Sequence, residues 1–116
     1  MTELIACLGE GPATQEHVRR VINGENWEKI FLITTESEDF KTGKETQFIA
    51  ADTTKLLPEL TQDLVSKLKD KVTGTEVALN LISGTGKLHM ALLSALLKLG
   101  LGIRLVALTK EGIREI

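Results

Sequence analysis

The sequence has a single cysteine, no apolar run near the roughly 20 residues of a membrane span, and almost no net charge. Cys7 alone excludes an internal disulfide and a cysteine-cluster metal site. It lies in an apolar run, where burial raises a thiol pKa, so it reads as inert packing rather than as a nucleophile. A formal net charge of −2 excludes bulk electrostatic binding to nucleic acid, so any anion must be held by a local site. Thr2-Glu3 gives no basic start to a signal peptide, so the expected place is the cytoplasm, away from any membrane. There are no internal repeats, low-complexity tracts or linkers. What remains is 116 residues, 42% apolar and 26% charged, an ordinary globular composition. That is enough chain for one domain, residues 1–116, around one core.

Read in order, apolar runs alternate with helical patterns. Leu4–Leu8 is a short continuous apolar run of the kind buried on both faces of a parallel sheet. Gly9-Glu10-Gly11-Pro12 ends it, and Pro12 suits the first position of a helix with Gly11 before it. Thr14, Val18, Val21 and Ile22 mark the inner face of that helix. Asn23-Gly24 tolerates a left-handed cap, and Trp27 is expected beneath the helix–strand connection. A second strand spans Lys29–Thr35, followed by a polar stretch, Glu36–Thr46, read as a mobile surface segment or a hairpin extension. Gln47–Ala51 is a short third strand. Pro58–Lys71 is the clearest amphipathic helix, with Leu60, Leu64, Val65 and Leu68 on one face, and it breaks at Thr73-Gly74-Thr75. Glu76–Ile82 is a fourth strand, and a third helix covers roughly Lys87–Leu99 with Gly100 as its cap. Ile103–Leu108 is a fifth strand, and Thr109–Ile116 is a tail with room for another edge strand. The fold expected is α/β, a Rossmann-like open, mainly parallel sheet of five to six strands with helices on both faces.

Such sheets bind ligands at the carboxyl ends of strands, where the strand order reverses. In a 3-2-1-4-5 order, strands one and four are adjacent. The turns after them, Gly9–Thr14 and Ser83–Lys87, then flank one crevice. The second turn is the organising stretch: an apolar strand stops at Ser83-Gly84-Thr85-Gly86-Lys87, and a helix opens. Free backbone amides and the positive end of the helix dipole converge there. Gly84 and Gly86 permit close approach, Ser83 and Thr85 supply hydroxyls, and Lys87 adds positive charge. A lysine in the first turn opposes the dipole unless an anion sits nearby. The stretch points to phosphate, against the plain alternative of a strand–helix connection that needs small residues. Glu10 in the first turn repels phosphate unless it points away or receives a hydroxyl.

Neighbouring motifs fail. A Walker A loop requires glycine where Leu81 stands and serine or threonine where Leu88 stands. GEGP is not GxGxxG, and only Glu36 lies loosely at the ribose position, so a dinucleotide dehydrogenase is not expected. No metal-ligand set, no cofactor and no nucleophile–histidine–acid constellation is legible. His17 reads as a partly packed surface residue rather than a general acid–base, whereas His89 sits near Lys87 one turn into the third helix. That helix leaves only His89, Ser94 and Lys98 polar between Leu88 and Leu99. An apolar surface all round calls for burial on more than one side, and a homodimer interface through Lys87–Leu99 is the economical expectation.

At its two turns the chain resembles the CRISPR-associated Rossmann fold (CARF) domains, sensors of cyclic oligoadenylates. Leu8–Thr14 (LGEGPAT) is similar to that family's short Gly/Ser/Pro turn. Asn80–Ala91 (NLISGTGKLHMA) is similar to its Gly-Gly-Thr-Lys-x-Met-type motif opening a helix. The strand order extends the resemblance over the whole chain, while the residue match rests on some twenty positions. Gly86 is an extra residue between Thr85 and Lys87, Ser83-Gly84 replaces the glycine doublet, and Met90 lies one place late. The resemblance implies a two-fold homodimer in antiviral defence, with both copies of each turn facing one pocket. A cyclic oligoribonucleotide would lie across that pocket. Gly9, Glu10, Gly11, Pro12 and Thr14 would approach ribose or base, and Ser83, Gly84, Thr85, Gly86 and Lys87 would take phosphate. Some members cleave the ring by turning a ribose 2′-hydroxyl on its own phosphate; Lys87 with Thr85 or Ser83 would supply that without a metal. Most members carry a second domain. This chain ends at Ile116 with none, which fits a stand-alone sensor, a ligand sponge, a ring nuclease or a shortened piece. Two other readings stay open: a nucleotide or phosphometabolite enzyme using the same turn, and a structural interaction domain whose third helix mates with another protein.

Overall fold

The continuous apolar runs become the central strands of one sheet. The computed structural model describes residues 2–35 and 39–116. In chain order these form β1 (Glu3–Leu8), α1 (Pro12–Asn23), β2 (Lys29–Thr34), β3 (Gln47–Ala50), α2 (Leu57–Leu68), β4 (Glu76–Asn80), α3 (Gly86–Lys98), β5 (Gly102–Thr109) and β6 (Gly112–Glu115). The sheet order is β3-β2-β1-β4-β5-β6. The first five strands in that order pair in parallel, and β6 returns antiparallel to β5. The fold is therefore the Rossmann-like α/β sheet that the alternating pattern requires.

Strand residues point alternately to opposite faces, so each buried strand feeds two cores. Ile5, Cys7, Phe31, Ile33, Val77 and Leu79 pack beneath α2 and α3. Leu4, Ala6, Leu8, Ile30, Leu32 and Ala78 pack beneath α1, with Val18, Val21 and Ile22. Cys7 is fully buried, and burial pushes its thiol up to about 12, so it stays protonated and inert at neutral pH.

Helix ends follow their residues in most places. Pro12 opens α1 directly after Gly11, whose φ of +108° only glycine adopts readily. α3 ends in a Schellman motif: the Gly100 amide donates to the Leu97 carbonyl and the Leu101 amide to the Leu96 carbonyl, with Gly100 at φ +73°. Gly24 departs from expectation. Its φ is −86°, so it is not a left-handed cap. Glycine is required there by crowding, because a Cβ would sit 2.7 Å from the Arg20 carbonyl and 3.0 Å from Ile113 of β6. The Trp27 indole N–H donates to the Val21 carbonyl, which seats the ring under the last turn of α1.

One other reading is corrected. Residues 39–46 form no hairpin strand; they dock on α1 through Arg19 over the Phe40 ring and through Asn23, which accepts from the Gly43 amide. Glu36, and with it the ribose position, lies outside the described residues. The apolar α3 is only partly covered: Leu88, Ala91, Leu92, Ala95 and Leu96 are buried, while Met90 and Leu97 stay 60% and 63% exposed.

Candidate functional site

Because β1 and β4 are neighbours whose connections leave in opposite directions, the loops at their carboxyl ends meet. They meet without any side chain between them. A Cβ on Gly9 would lie 2.6 Å from Gly84 Cα and 2.7 Å from Gly84 N, so only glycine allows this approach. Gly84 holds φ +104°, and a Cβ there would lie 3.2 Å from His89 Nε2. Ser83, 1% exposed, locks the junction: its Oγ accepts the Gly9 amide at 2.8 Å. The Thr14 hydroxyl lies 3.3 Å from the same oxygen, and Gln15 Nε2 donates to the Gly9 carbonyl at 2.7 Å. His89 Nε2 sits 2.6 Å from the Ser83 carbonyl. Ser83 and Thr14 thus serve the contact between the turns rather than an open face.

Beside this junction is a cleft of about 340 Å³. Leu8, Gly9 and Glu10 line it after β1, Thr35 after β2, Thr53 after β3, and Gly84, Thr85 and Leu88 after β4. Thr85 is the N-cap of α3, its Oγ1 accepting the Leu88 amide at 3.2 Å. The amides of Gly86 and Lys87 have no acceptor among the described residues, as expected for a first helical turn. No acidic residue occupies that turn, and a Cβ on Gly86 would meet open space. The helix end therefore presents unneutralised donor groups.

The charged side chains are arranged differently from the sequence-based expectation. Lys87 Nζ reaches across to the Thr53 carbonyl at 2.8 Å, so it fastens the β3–α2 loop instead of lying over its own amides. The Asp52 carboxylate holds the same loop by accepting from the Thr54 amide and hydroxyl, bonds that also lower its pKa. Glu10 is exposed and is the one ionisable residue in the lining among the described residues. Gly11 and Pro12 are exposed above α1, away from that lining.

Of the ten residues expected at the site, the structure brings Gly9, Glu10, Gly84 and Thr85 to the cleft and puts Gly86 and Lys87 on its α3 side. Ser83 and Thr14 lie behind them. Sequence reasoning missed Thr35 and Thr53, which carry no motif and arrive only through strand order. It also missed Asn80, although a polar residue inside the apolar run Val77–Ile82 was a signal of a buried polar role. Among the described residues, no cluster of histidine, cysteine, aspartate or glutamate suits a metal ion. No described helix is long and apolar enough to cross a membrane.

Fold and cleft together define a class: an open α/β sheet with a small polar cleft at its topological switch point. Comparison with protein-family models, with curated proteins and with solved structures finds no match for this chain.

Proposed function

We propose that this chain is a CARF-type sensor domain that binds an anionic, cyclic oligoadenylate-type nucleotide at a homodimer axis. The observation that carries the reading is the direct contact of Gly9 with Gly84, which joins two glycine turns beside one cleft that Thr85 and Leu88 line at the start of α3. Backbone N–H groups at a helix N-terminus suit phosphate oxygens, and Thr35, Thr53 and Thr85 offer hydroxyls to sugar or base. At about 340 Å³ the cleft is near the lower end of small-molecule sites, roughly 300–1,000 Å³, so it has room for about one nucleotide. A ring must then engage two clefts, one in each copy of the chain. The exposed Met90 and Leu97 on α3 give a second copy apolar surface to cover. Ring cleavage would use Lys87 and Thr85 to stabilise phosphate charge, after Lys87 leaves the Thr53 carbonyl.

Incubation of the purified protein with cyclic tetra- and hexa-adenylate, followed by mass spectrometry, tests this. An intact bound ring makes the domain a sensor or sponge. Linear products that disappear in Lys87→Ala make it a ring nuclease. Binding of neither ring sinks the reading, and a monomer in solution counts equally against it. The capacity for one nucleotide favours a second reading, a mononucleotide- or phosphometabolite-binding enzyme, which predicts binding of a single nucleotide by a monomer.

A further inference from the structure

A partly buried polar cluster lies on the α1 side of the sheet, next to the second glycine turn. Asn80, 2% exposed, ends β4. Its Nδ2 donates to the Val106 carbonyl at 2.9 Å, and its Oδ1 accepts from the Ile82 amide at 3.3 Å. A carbonyl needs a donor and an amide needs an acceptor, so these two main-chain partners fix the orientation of the side-chain amide. Nδ2 also lies 3.3 Å from His17 Nε2, and the Leu108 amide donates to that same ring nitrogen at 3.3 Å. Two N–H donors on one ring nitrogen require that it carry no proton. His17 is therefore neutral, with its proton on Nδ1.

We propose that His17 is a proton-operated pin: unprotonated, it ties the ends of β4 and β5 to α1 and keeps the Ile82–Gly84 turn against Gly9; protonated, it releases that turn and with it the cleft. A proton on Nε2 meets two N–H groups, and neither can turn away. The Leu108 amide is main chain. Asn80 cannot flip without turning its oxygen on the Val106 carbonyl and its NH₂ on the Ile82 amide. The disturbance passes to Ile82, next to Ser83, whose hydroxyl holds Gly9.

The surroundings oppose protonation. Burial and Arg20, on the same helix, lower the His17 pKa. Glu16 of α1 pairs with Arg19, while β4 and β5 present Asn80, Val106 and the Leu108 amide, none of which titrates. His89 is the internal contrast. Its Nε2 faces the Ser83 carbonyl, which only accepts, so that nitrogen is a donor and not an acceptor.

The pin regulates the cleft proposed above, but its first test needs no ligand. The chain has two histidines, so imidazole ¹H–¹⁵N spectra resolve each of them. At about pH 7.5 His17 should be the Nδ1–H tautomer, and the Ile82, Ser83, Gly84 and Leu108 amides should shift with its midpoint and not with that of His89. In His17→Gln, whose carbonyl oxygen accepts but does not titrate, those shifts should vanish; in His89→Gln they should persist. An Nε2–H tautomer, or amides that stay still through the His17 midpoint, overturns the proposal, and the wild-type spectra decide it should a variant fail to fold. Binding of cyclic tetra-adenylate should weaken by about tenfold between about pH 7.5 and one unit below the His17 midpoint in the wild type and stay level in His17→Gln. Equal binding at both pH values removes the regulatory link. A ring that never binds removes the sensor reading, and the amide titration alone then decides the pin.

Discussion

At the amino end of the sheet, the turn Thr73-Gly74 closes around a carboxylate; at the carboxyl end, Gly84-Thr85-Gly86 has no such partner among the described residues. The first turn is filled by the chain itself. Glu3, 2% exposed at the start of β1, accepts from the Thr73 amide at 3.0 Å, the Thr73 hydroxyl at 3.1 Å and the Gly74 amide at 2.6 Å. A Cβ on Gly74 would crowd that carboxylate at 3.1 Å. The second turn uses the same residue types, yet its amides border an open cleft, and Lys87, the nearest cation, is tied to the Thr53 carbonyl. Threonine and glycine thus make a main-chain anion holder at both ends. Whether it is internal glue or a binding site depends on whether the fold delivers an anion of its own.

The comparison can be broken from either side. The largest effect expected is from Gly9→Ala, whose Cβ must push the two turns apart. It should lower stability by about 3 kcal/mol in chemical denaturation and abolish ligand binding, the upper range for overpacking. Filling the open turn should work in the opposite direction. Cyclic tetra-adenylate at 100 times its dissociation constant should raise stability by about 2.7 kcal/mol in wild type, a gain that Lys87→Ala loses while its unliganded fold is unchanged. Emptying the closed turn by Glu3→Gln replaces charge-assisted bonds by neutral ones and should cost about 1–2 kcal/mol, with no effect on ligand binding. Ser83→Ala removes the acceptor of the Gly9 amide and should cost about 1 kcal/mol while weakening binding, which separates the two ends.

The smallest effect is that of pH. The folded-state His17 pKa lies below its unfolded value of 6.5, so the unfolded chain takes up the proton first as pH falls. Its contribution to stability is complete above about pH 6.5 and declines as pH drops toward the folded value. Denaturation midpoints measured across that window should fall in wild type and stay flatter in His17→Gln.

The candidate site was legible where chemistry follows from neighbours in the chain. Ser83–Lys87 reads as a strand–turn–helix because an apolar run meets small residues and then a helical pattern. Gly9–Pro12 reads as a turn for the same local reason. Glu10 raised the right question, since an acid at a phosphate turn needs an explanation, and it lies in the cleft lining. The direction of Lys87 was not legible, because Thr53 is 34 residues away and only the order β3-β2-β1-β4 brings its carbonyl within reach. Gly24 misled because glycine after a helix usually marks a left-handed cap, whereas here it makes room for Ile113.

By itself, then, the sequence determined the alternation of buried strands and amphipathic helices, and with it a parallel sheet with glycine turns at its carboxyl edge. These follow from periodicity, capping and steric permission, which act within a few residues. Tertiary structure alone decided that Gly9 and Gly84 touch, that Ser83 serves their contact, that Glu3 fills one turn while the other has no such partner among the described residues, and that Asn80 and the Leu108 amide meet at His17 Nε2. Each of those depends on which strands are neighbours. Hydrogen bonding and close packing act over 3 to 4 Å of space, whatever the separation along the chain.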